Sequence, residues 1–110
     1  MEIKETDSKD IWILKLNGVM DAHTSPAIKA KLESGIAAGK SKIIVDMQAV
    51  TYLSSAGAGA LLAGLTASRK KSGELRLCSF QAAVKDAFEV MGFSKAFKVY
   101  MDLEKAMEGF

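Results

Sequence analysis

The sequence predicts one α/β domain built on a largely parallel sheet, and three observations support this. Apolar runs typical of strands alternate with amphipathic stretches typical of helices along most of the chain. Residues 42–46 (KIIVD) form a short, nearly continuous apolar run, as in a strand covered on both faces. The chain has 110 residues, of which 49% are hydrophobic and 25% charged, the balance of a globular chain. We therefore expect residues 1–110 to form a single domain with right-handed crossovers.

The first strand is predicted at residues 11–16 (IWILKL), which are rich in β-branched and aromatic side chains. We expect it to stop at Asn17-Gly18, a strong turn signal. The polar segment before it, around Ile3, is expected to add a short edge strand that pairs back on it.

The first helix is predicted to begin at Thr24-Ser25-Pro26, a hydroxyl cap with proline in the first turn. Its apolar face repeats every four residues, and Gly39 ends it. The face consists of Ile28, Leu32 and Ile36. The central strand at residues 42–46 follows, and we expect a loop after it.

A second helix is predicted to open at Ser54-Ser55 and to end near Gly73. A strand at residues 75–78, a third helix closed by Gly92 and a last strand at residues 97–100 follow. The chain then ends in a small amphipathic helix. The predicted apolar positions are Ala58, Leu61, Leu62 and Leu65 in the second helix, Val84, Phe88 and Met91 in the third, and Leu103, Ala106, Met107 and Phe110 in the last.

Charge, cysteine content and hydropathy exclude several classes of function. The formal net charge is only +2, and the basic run Arg69-Lys70-Lys71 suits the end of a helix, so we expect no nucleic-acid partner. The single cysteine, Cys78, cannot form an internal disulfide and is expected in the core, as is Trp12. No apolar run approaches the roughly 18 residues of a membrane span, so we expect a cytoplasmic protein.

The enzyme motifs that the sequence approaches are incomplete. Gly57 and Gly59 follow a strand, but the third glycine of a dinucleotide fingerprint would have to replace Leu62. No lysine lies between residues 42 and 70, so the phosphate-loop pattern is absent. His23 is the only histidine and is expected to be a solvated turn residue. We therefore expect no catalytic residues, no cofactor and no metal site.

The most informative segment is residues 46–62, in which a buried strand is followed by two serines at a helix start. Ser54 suits the N-cap, and Ser55 would then be the first helical residue, with an exposed hydroxyl. A phosphate on Ser55 would meet free backbone N–H groups and the positive end of the helix dipole. Gly57 and Gly59 would let a partner approach closely. The same pattern also fits an ordinary serine-capped helix with small residues packed under a neighbour.

Two segments resemble the STAS domain family, named for sulfate transporters and anti-sigma factor antagonists. Residues 50–62 (VTYLSSAGAGALL) are similar to the family's phosphorylation segment, in which an Asp-Ser pair, a small residue and Gly-Leu-Gly open a helix. Residues 16–24 (LNGVMDAHT) are similar to the family's Gly-x-hydrophobic-Asp turn. The resemblance implies a mixed sheet of about four to five strands with helices mostly on one face. It places the phosphoacceptor at Ser55 rather than Ser54.

The resemblance also implies a partner surface, and Asp21 in it would lie near the phosphoacceptor. Asp21 also suits a cap at the helix entry. The implied partner-binding residues are Asp21, Thr24, Ser54, Ser55, Ala56, Gly57, Ala58 and Gly59. The chain departs from the family pattern at two positions, since Ser54 stands for the aspartate and Ala58 for the leucine.

The function implied by the resemblance is that of a non-enzymatic anti-sigma factor antagonist. Such a protein binds an anti-sigma factor with serine kinase activity, is phosphorylated by it, and is reset by a serine phosphatase. The alternative is a constitutive STAS scaffold or transporter-accessory subunit without phosphorylation, which Ser54 in place of aspartate favours.

Overall fold

The computed structural model describes residues 1–110 and contains one five-stranded mixed sheet and four α-helices. In chain order the elements are β1 (Glu2–Ser8), β2 (Ile11–Met20), α1 (Ser25–Ala37), β3 (Lys42–Leu53), α2 (Ser55–Lys70), β4 (Glu74–Cys78), α3 (Ala82–Val90), β5 (Lys98–Tyr100) and α4 (Leu103–Met107). The sheet order is β1-β2-β3-β4-β5. β1 is antiparallel to β2, and the other neighbours are parallel. The predicted fold class, with its added edge strand, is confirmed.

The two faces of the sheet are covered unequally. A main core of 20 buried residues joins one face of the sheet to α1, α2 and α3. A second cluster of five buried hydrophobic residues joins the other face of the sheet to α4, and consists of Ile11, Ile13, Ile44, Cys78 and, from α4 itself, Ala106. Helices therefore cover mostly one face, as predicted, and Ile44 and Val45 in the central strand β3 are 0% and 1% exposed.

Both central strands run further than the sequence predicts. β2 does not stop at Asn17-Gly18 but continues to Met20, because Gly18 has a φ of +123° that accommodates an irregularity in the pairing. β3 continues past residue 46 to Leu53, where the sequence predicted a loop. Register shifts after Lys15 and after Gly18 accompany this extension. The extra length brings the ends of β2 and β3 side by side.

The helix ends follow local signals with two exceptions. Gly39 and Gly92 have positive φ values of +100° and +83° just after α1 and α3, as predicted. Thr24 precedes α1 but its side chain makes no cap hydrogen bond. The last helix ends at Met107, and Phe110 packs against the second cluster from outside the helix.

Candidate functional site

The candidate site lies where the carboxyl ends of β2 and β3 lead into α1 and α2. The Ser54 N–H donates to the carbonyl oxygen of Met20, with a nitrogen to oxygen distance of 2.8 Å. This bond joins the last residue of β2 to the residue that precedes α2. The turn that follows Met20 and the first turn of α2 therefore lie at the same end of the sheet.

Ser54 and Ser55 have different environments, as the sequence predicts. Ser54 is half-buried, and its Oγ accepts the Gly57 N–H at 3.2 Å as the N-cap of α2. Ser55 is exposed and is the first residue of the helix. No acidic side chain lies in the first turn, so the positive end of the helix dipole is not neutralised there. An anion attached to Ser55 would meet this end of the helix.

Asp21 organises the turn between β2 and α1. Its Oδ1 accepts the N–H groups of His23 at 2.9 Å and of Thr24 at 3.0 Å. These two hydrogen bonds hold the pKa of the Asp21 carboxyl below its ordinary value, and the bond from Thr24 has the larger effect. The Thr24 hydroxyl accepts the Asp21 N–H at 3.0 Å and donates to the Val19 carbonyl at 2.8 Å. Asp21 and Thr24 thus hold the turn in one shape, and Asp21 acts as the acceptor at the helix entry.

Two of the small residues of α2 lie inside the fold and not on its surface. A Cβ on Gly57 would lie 2.8 Å from Leu53 Cδ1 and 2.8 Å from Met20 Cβ, which is closer than packed atoms allow. Ala58 is 0% exposed. A Cβ on Gly59 would meet no atom within 4 Å. Gly57 and Ala58 therefore let α2 pack on the strand ends, while the backbone at Gly59 can be approached from outside.

The structure adds surface residues that the sequence did not single out. Val19 and Tyr52 are register partners at the ends of β2 and β3, and they are 39% and 55% exposed. A groove of about 430 Å³ lies between the starts of α1 and α2. It is lined by Ala22, Ser25, Pro26, Lys29, Ala56, Gly59 and Ala60. The extension of the two strands creates the exposed pair, and the packing of α1 against α2 creates the groove. Neither feature therefore has a local sequence signal.

The other polar candidates lie elsewhere or in unreactive settings. His23 is exposed in the turn. Cys78 is 0% exposed, and burial raises the pKa of its thiol to about 11. Arg69 lies in the last turn of α2, 3.8 Å from the Glu74 carboxylate. No three His, Cys, Asp or Glu side chains are grouped as metal ligands, and none of the helices has the length and apolar character required to cross a membrane.

Comparison with known proteins identifies the family. The STAS domain model matches residues 2–106, and the chain belongs to the STAS domain family. BtrV of Bordetella bronchiseptica is 30% identical over 95 residues, which cover 86% of this chain and 82% of BtrV. The anti-sigma-B factor antagonist of Listeria monocytogenes is 29% identical over 109 residues, covering 99% of this chain and 94% of its own.

Solved structures share the fold at low sequence identity. An anti-sigma factor antagonist from Mycobacterium paratuberculosis superposes with a TM-score of 0.80 at 22% identity, covering 96% of this chain and 90% of its own. The anti-sigma factor antagonist SpoIIAA in its unphosphorylated form gives a TM-score of 0.74 at 20% identity, covering 97% of this chain and 96% of its own. SpoIIAA has also been solved in its phosphorylated form, with a TM-score of 0.74 at 19% identity, covering 97% of this chain and 97% of its own.

Proposed function

We propose that the protein is an anti-sigma factor antagonist, a binding protein without enzymatic activity that is switched by phosphorylation of Ser55. The observation that carries the proposal is that Ser55 is exposed at the start of α2, directly after Ser54, whose N–H is bonded to Met20 just before the Asp21 turn. Relatives across almost the whole chain carry the name anti-sigma factor antagonist, which supports the class of partner. The partner is an anti-sigma factor with serine kinase activity, and a serine phosphatase resets the switch.

The proposed partner surface is centred on Ser55 and consists of exposed or half-buried residues. It keeps the sequence-derived residues that reach the surface and adds the exposed apolar pair at the strand ends. Gly57 and Ala58 support it from beneath. The surface comprises Val19, Asp21, Thr24, Tyr52, Ser54, Ser55, Ala56 and Gly59.

The switch acts through charge and bulk at one hydroxyl. The Ser55 oxygen attacks the γ-phosphorus of ATP held by the kinase, ADP leaves, and the serine proton passes to the kinase's base. The phosphoserine carries a charge of about −1.5 to −2 at neutral pH. The phosphoserine lies in the same proposed surface as the ionised Asp21. It therefore replaces an uncharged hydroxyl in the partner surface by an anionic group. Hydrolysis by the phosphatase restores the hydroxyl and releases inorganic phosphate. The kinase requires ATP, so we place this cycle in the cytoplasm.

Phosphorylation with the natural kinase tests the proposal. The partner is isolated from the native cell with Ser55→Ala as bait, because this variant cannot be switched off. Incubation of the wild-type protein with that partner and ATP, followed by mass spectrometry, should place one phosphate on Ser55. Phosphate on Ser54 alone would show that the acceptor is misassigned.

Partner affinity separates the switch from a constitutive role. Ser55→Asp should weaken binding about tenfold or more, which corresponds to about 1.4 kcal/mol. Thr66→Asp is the matched control, since it adds the same charge on an exposed position of α2 about three turns further on. Thr66→Asp should bind as the wild type does.

A constitutive STAS scaffold is the second candidate, and the observation that favours it is Ser54. This residue caps α2 with a hydroxyl where the family pattern has a carboxylate. Absence of phosphate from both serines, together with equal partner affinity for Ser55→Asp and Thr66→Asp, would establish the scaffold role instead.

A further inference from the structure

The second face of the sheet is covered by a short segment at the end of the sequence. The segment 103–110, here called the strap, consists of α4 and the three residues after it. Ala106 is buried in the five-residue cluster, and Leu103, Met107 and Phe110 pack against it partly buried. The face beneath it carries Ile11, Ile13, Ile44 and Cys78. The strap is thus the only helical cover of this face.

One buried cation, Arg76 of β4, holds the strap. Arg76 is 6% exposed. Its Nη1 donates to the carbonyl oxygens of Ala106 at 2.9 Å and Glu108 at 2.8 Å, and its Nη2 donates to that of Gly109 at 3.3 Å. These carbonyls lie at the end of α4, where a helix leaves its acceptors without partners and its dipole is negative. Arg76 therefore caps the strap from the sheet.

The Arg76 guanidinium is also enclosed by two aromatic rings. It lies 4.2 Å from the ring centre of Phe110, which belongs to the strap, and 5.3 Å from that of Tyr100 in β5. Such cation–π contacts add to the attachment. All the hydrogen bonds between the strap and the sheet are thus donated by the Arg76 side chain.

Docking of the strap buries the charge of Arg76, and this burial costs free energy. The only carboxylate beside Arg76 is Glu74, 3.5 Å from its Nε, and Glu74 also has Arg69 and Lys98 within 3.8 Å. The Arg76 Nε is buried without a hydrogen-bond partner. Burial of a cation that is only partly compensated opposes docking, and opening the strap returns this charge to water. A helix of five residues also adds little stability of its own.

We propose that the strap opens as a local unit while the main core stays folded, and that Arg76 is the latch that sets how often it opens. The 20 residues of the main core lie on the opposite face, so opening the strap removes none of them. Local openings of this kind need less free energy than global unfolding when few apolar contacts are lost. The device gives the domain a second conformation in which the face beneath the strap meets solvent.

Cys78 reports the opening, because it is the only cysteine and is fully buried beneath the strap. The thiol is modified with N-ethylmaleimide under native conditions at increasing low urea concentrations, and the single adduct is counted by mass spectrometry. Wild-type labelling should proceed at a rate that depends only weakly on urea, since a local opening exposes little surface. Labelling that follows global unfolding, with its full urea dependence, would overturn the proposal.

Arg76→Met tests the latch because it keeps the length of the side chain and removes its donors. It removes three hydrogen bonds to the strap and should speed labelling about tenfold or more, since the loss of even one bond to a charged group has an effect of about this size. Arg69→Met is the matched control, since Arg69 lies beside the same Glu74 carboxylate but does not touch the strap. It should label within about twofold of the wild type. Equal labelling of the two variants would refute the role of Arg76.

A second variant covers the case in which Arg76→Met fails to fold. Phe110→Ala removes the ring beside the guanidinium and leaves all residues of the sheet unchanged. It should also speed labelling at low urea, with unchanged global unfolding in urea. Labelling of Phe110→Ala at the wild-type rate would contradict the proposal that opening of the strap exposes Cys78.

Discussion

Ser54 and Ser55 are neighbours in the chain, but only Ser54 stabilises the fold through its side chain. Its Oγ accepts the Gly57 N–H, whereas Ser55 is exposed. Ser54→Ala should therefore lower the free energy of unfolding by about 1 kcal/mol. Ser55→Ala should change it by less than about 0.5 kcal/mol. Urea unfolding of both variants measures this, and equal losses would contradict the assigned capping role.

Gly57 and Gly59 offer a second comparison between close positions of one helix turn. A methyl group on Gly57 meets Met20 and Leu53 at 2.8 Å, so Gly57→Ala should destabilise the protein by about 1–3 kcal/mol. A methyl group on Gly59 meets nothing within 4 Å, so Gly59→Ala should stabilise it by up to about 1 kcal/mol.

Urea unfolding of both glycine variants gives the sign of each change. Destabilisation by Gly59→Ala would show that its surroundings are not open. If Gly59→Ala is more stable but binds the partner less well, the glycine serves close approach and not folding. This outcome would support the proposed partner surface.

At the scale of elements, the turn before α1 should make stability depend on pH. Backbone N–H groups of Thr24 and His23 lower the pKa of Asp21 in the folded protein. The stabilising contribution of the ionised carboxylate is therefore present above its unfolded-state pKa of about 3.9. It is lost as the pH falls through the lower folded-state pKa.

Asp21→Asn isolates this contribution because the amide keeps an acceptor but does not titrate. The stability difference between the wild type and Asp21→Asn should be constant near neutral pH and should shrink below about pH 4. Glu5 and Asp10 also have lowered pKa values, through Lys31 and Lys42, but they are present in both proteins. Urea unfolding across acidic pH tests this, and a difference that does not shrink would contradict it.

The elements set by local chemistry could be predicted from the sequence, and those set by pairing could not. The central strand and the Ser54 cap depend on nearby residues, and both are found where the sequence predicts them. The extensions of β2 and β3 depend on irregular pairing between two distant segments. In β3, the residues buried after Met47 are Val50 and Leu53, a spacing of three that hides the alternation typical of a strand.

The candidate site divides in the same way. The two serines and Asp21 were predicted because a helix start and a turn have local signatures. The exposed pair of Val19 and Tyr52 was not, since it exists only through the parallel register of two strands. Burial of Ala58 likewise depends on how α2 packs on the sheet.

The two faces of the sheet are covered unequally across the whole molecule, and this determines where a local opening can occur. The main core joins the sheet to three helices, whereas on the other face the hydrophobic cluster has only five buried residues, one of them in the short helix α4. The proposed switch lies at the carboxyl ends of β2 and β3, on helix starts fixed by the main core. The strap lies on the thinly covered face, so its opening and the switch use different parts of the fold.

Because one core unites α1, α2 and α3, the protein should unfold as a single cooperative unit. Trp12 is the only tryptophan and is 2% exposed within that core, so its fluorescence reports the core. Far-ultraviolet circular dichroism reports all the helices, of which α4 is the shortest, so opening of the strap changes it little. The two signals should therefore share one urea transition.

Leu61→Ala tests this unity from within the core. Leu61 is 0% exposed in α2, so its truncation should cost about 2–5 kcal/mol. Both signals should move to lower urea together, with an unchanged slope, because the surface exposed on unfolding is the same. If the fluorescence transition moves while part of the helical signal keeps its midpoint, the chain contains a second folding unit. The expectation of one domain over residues 1–110 would then be wrong.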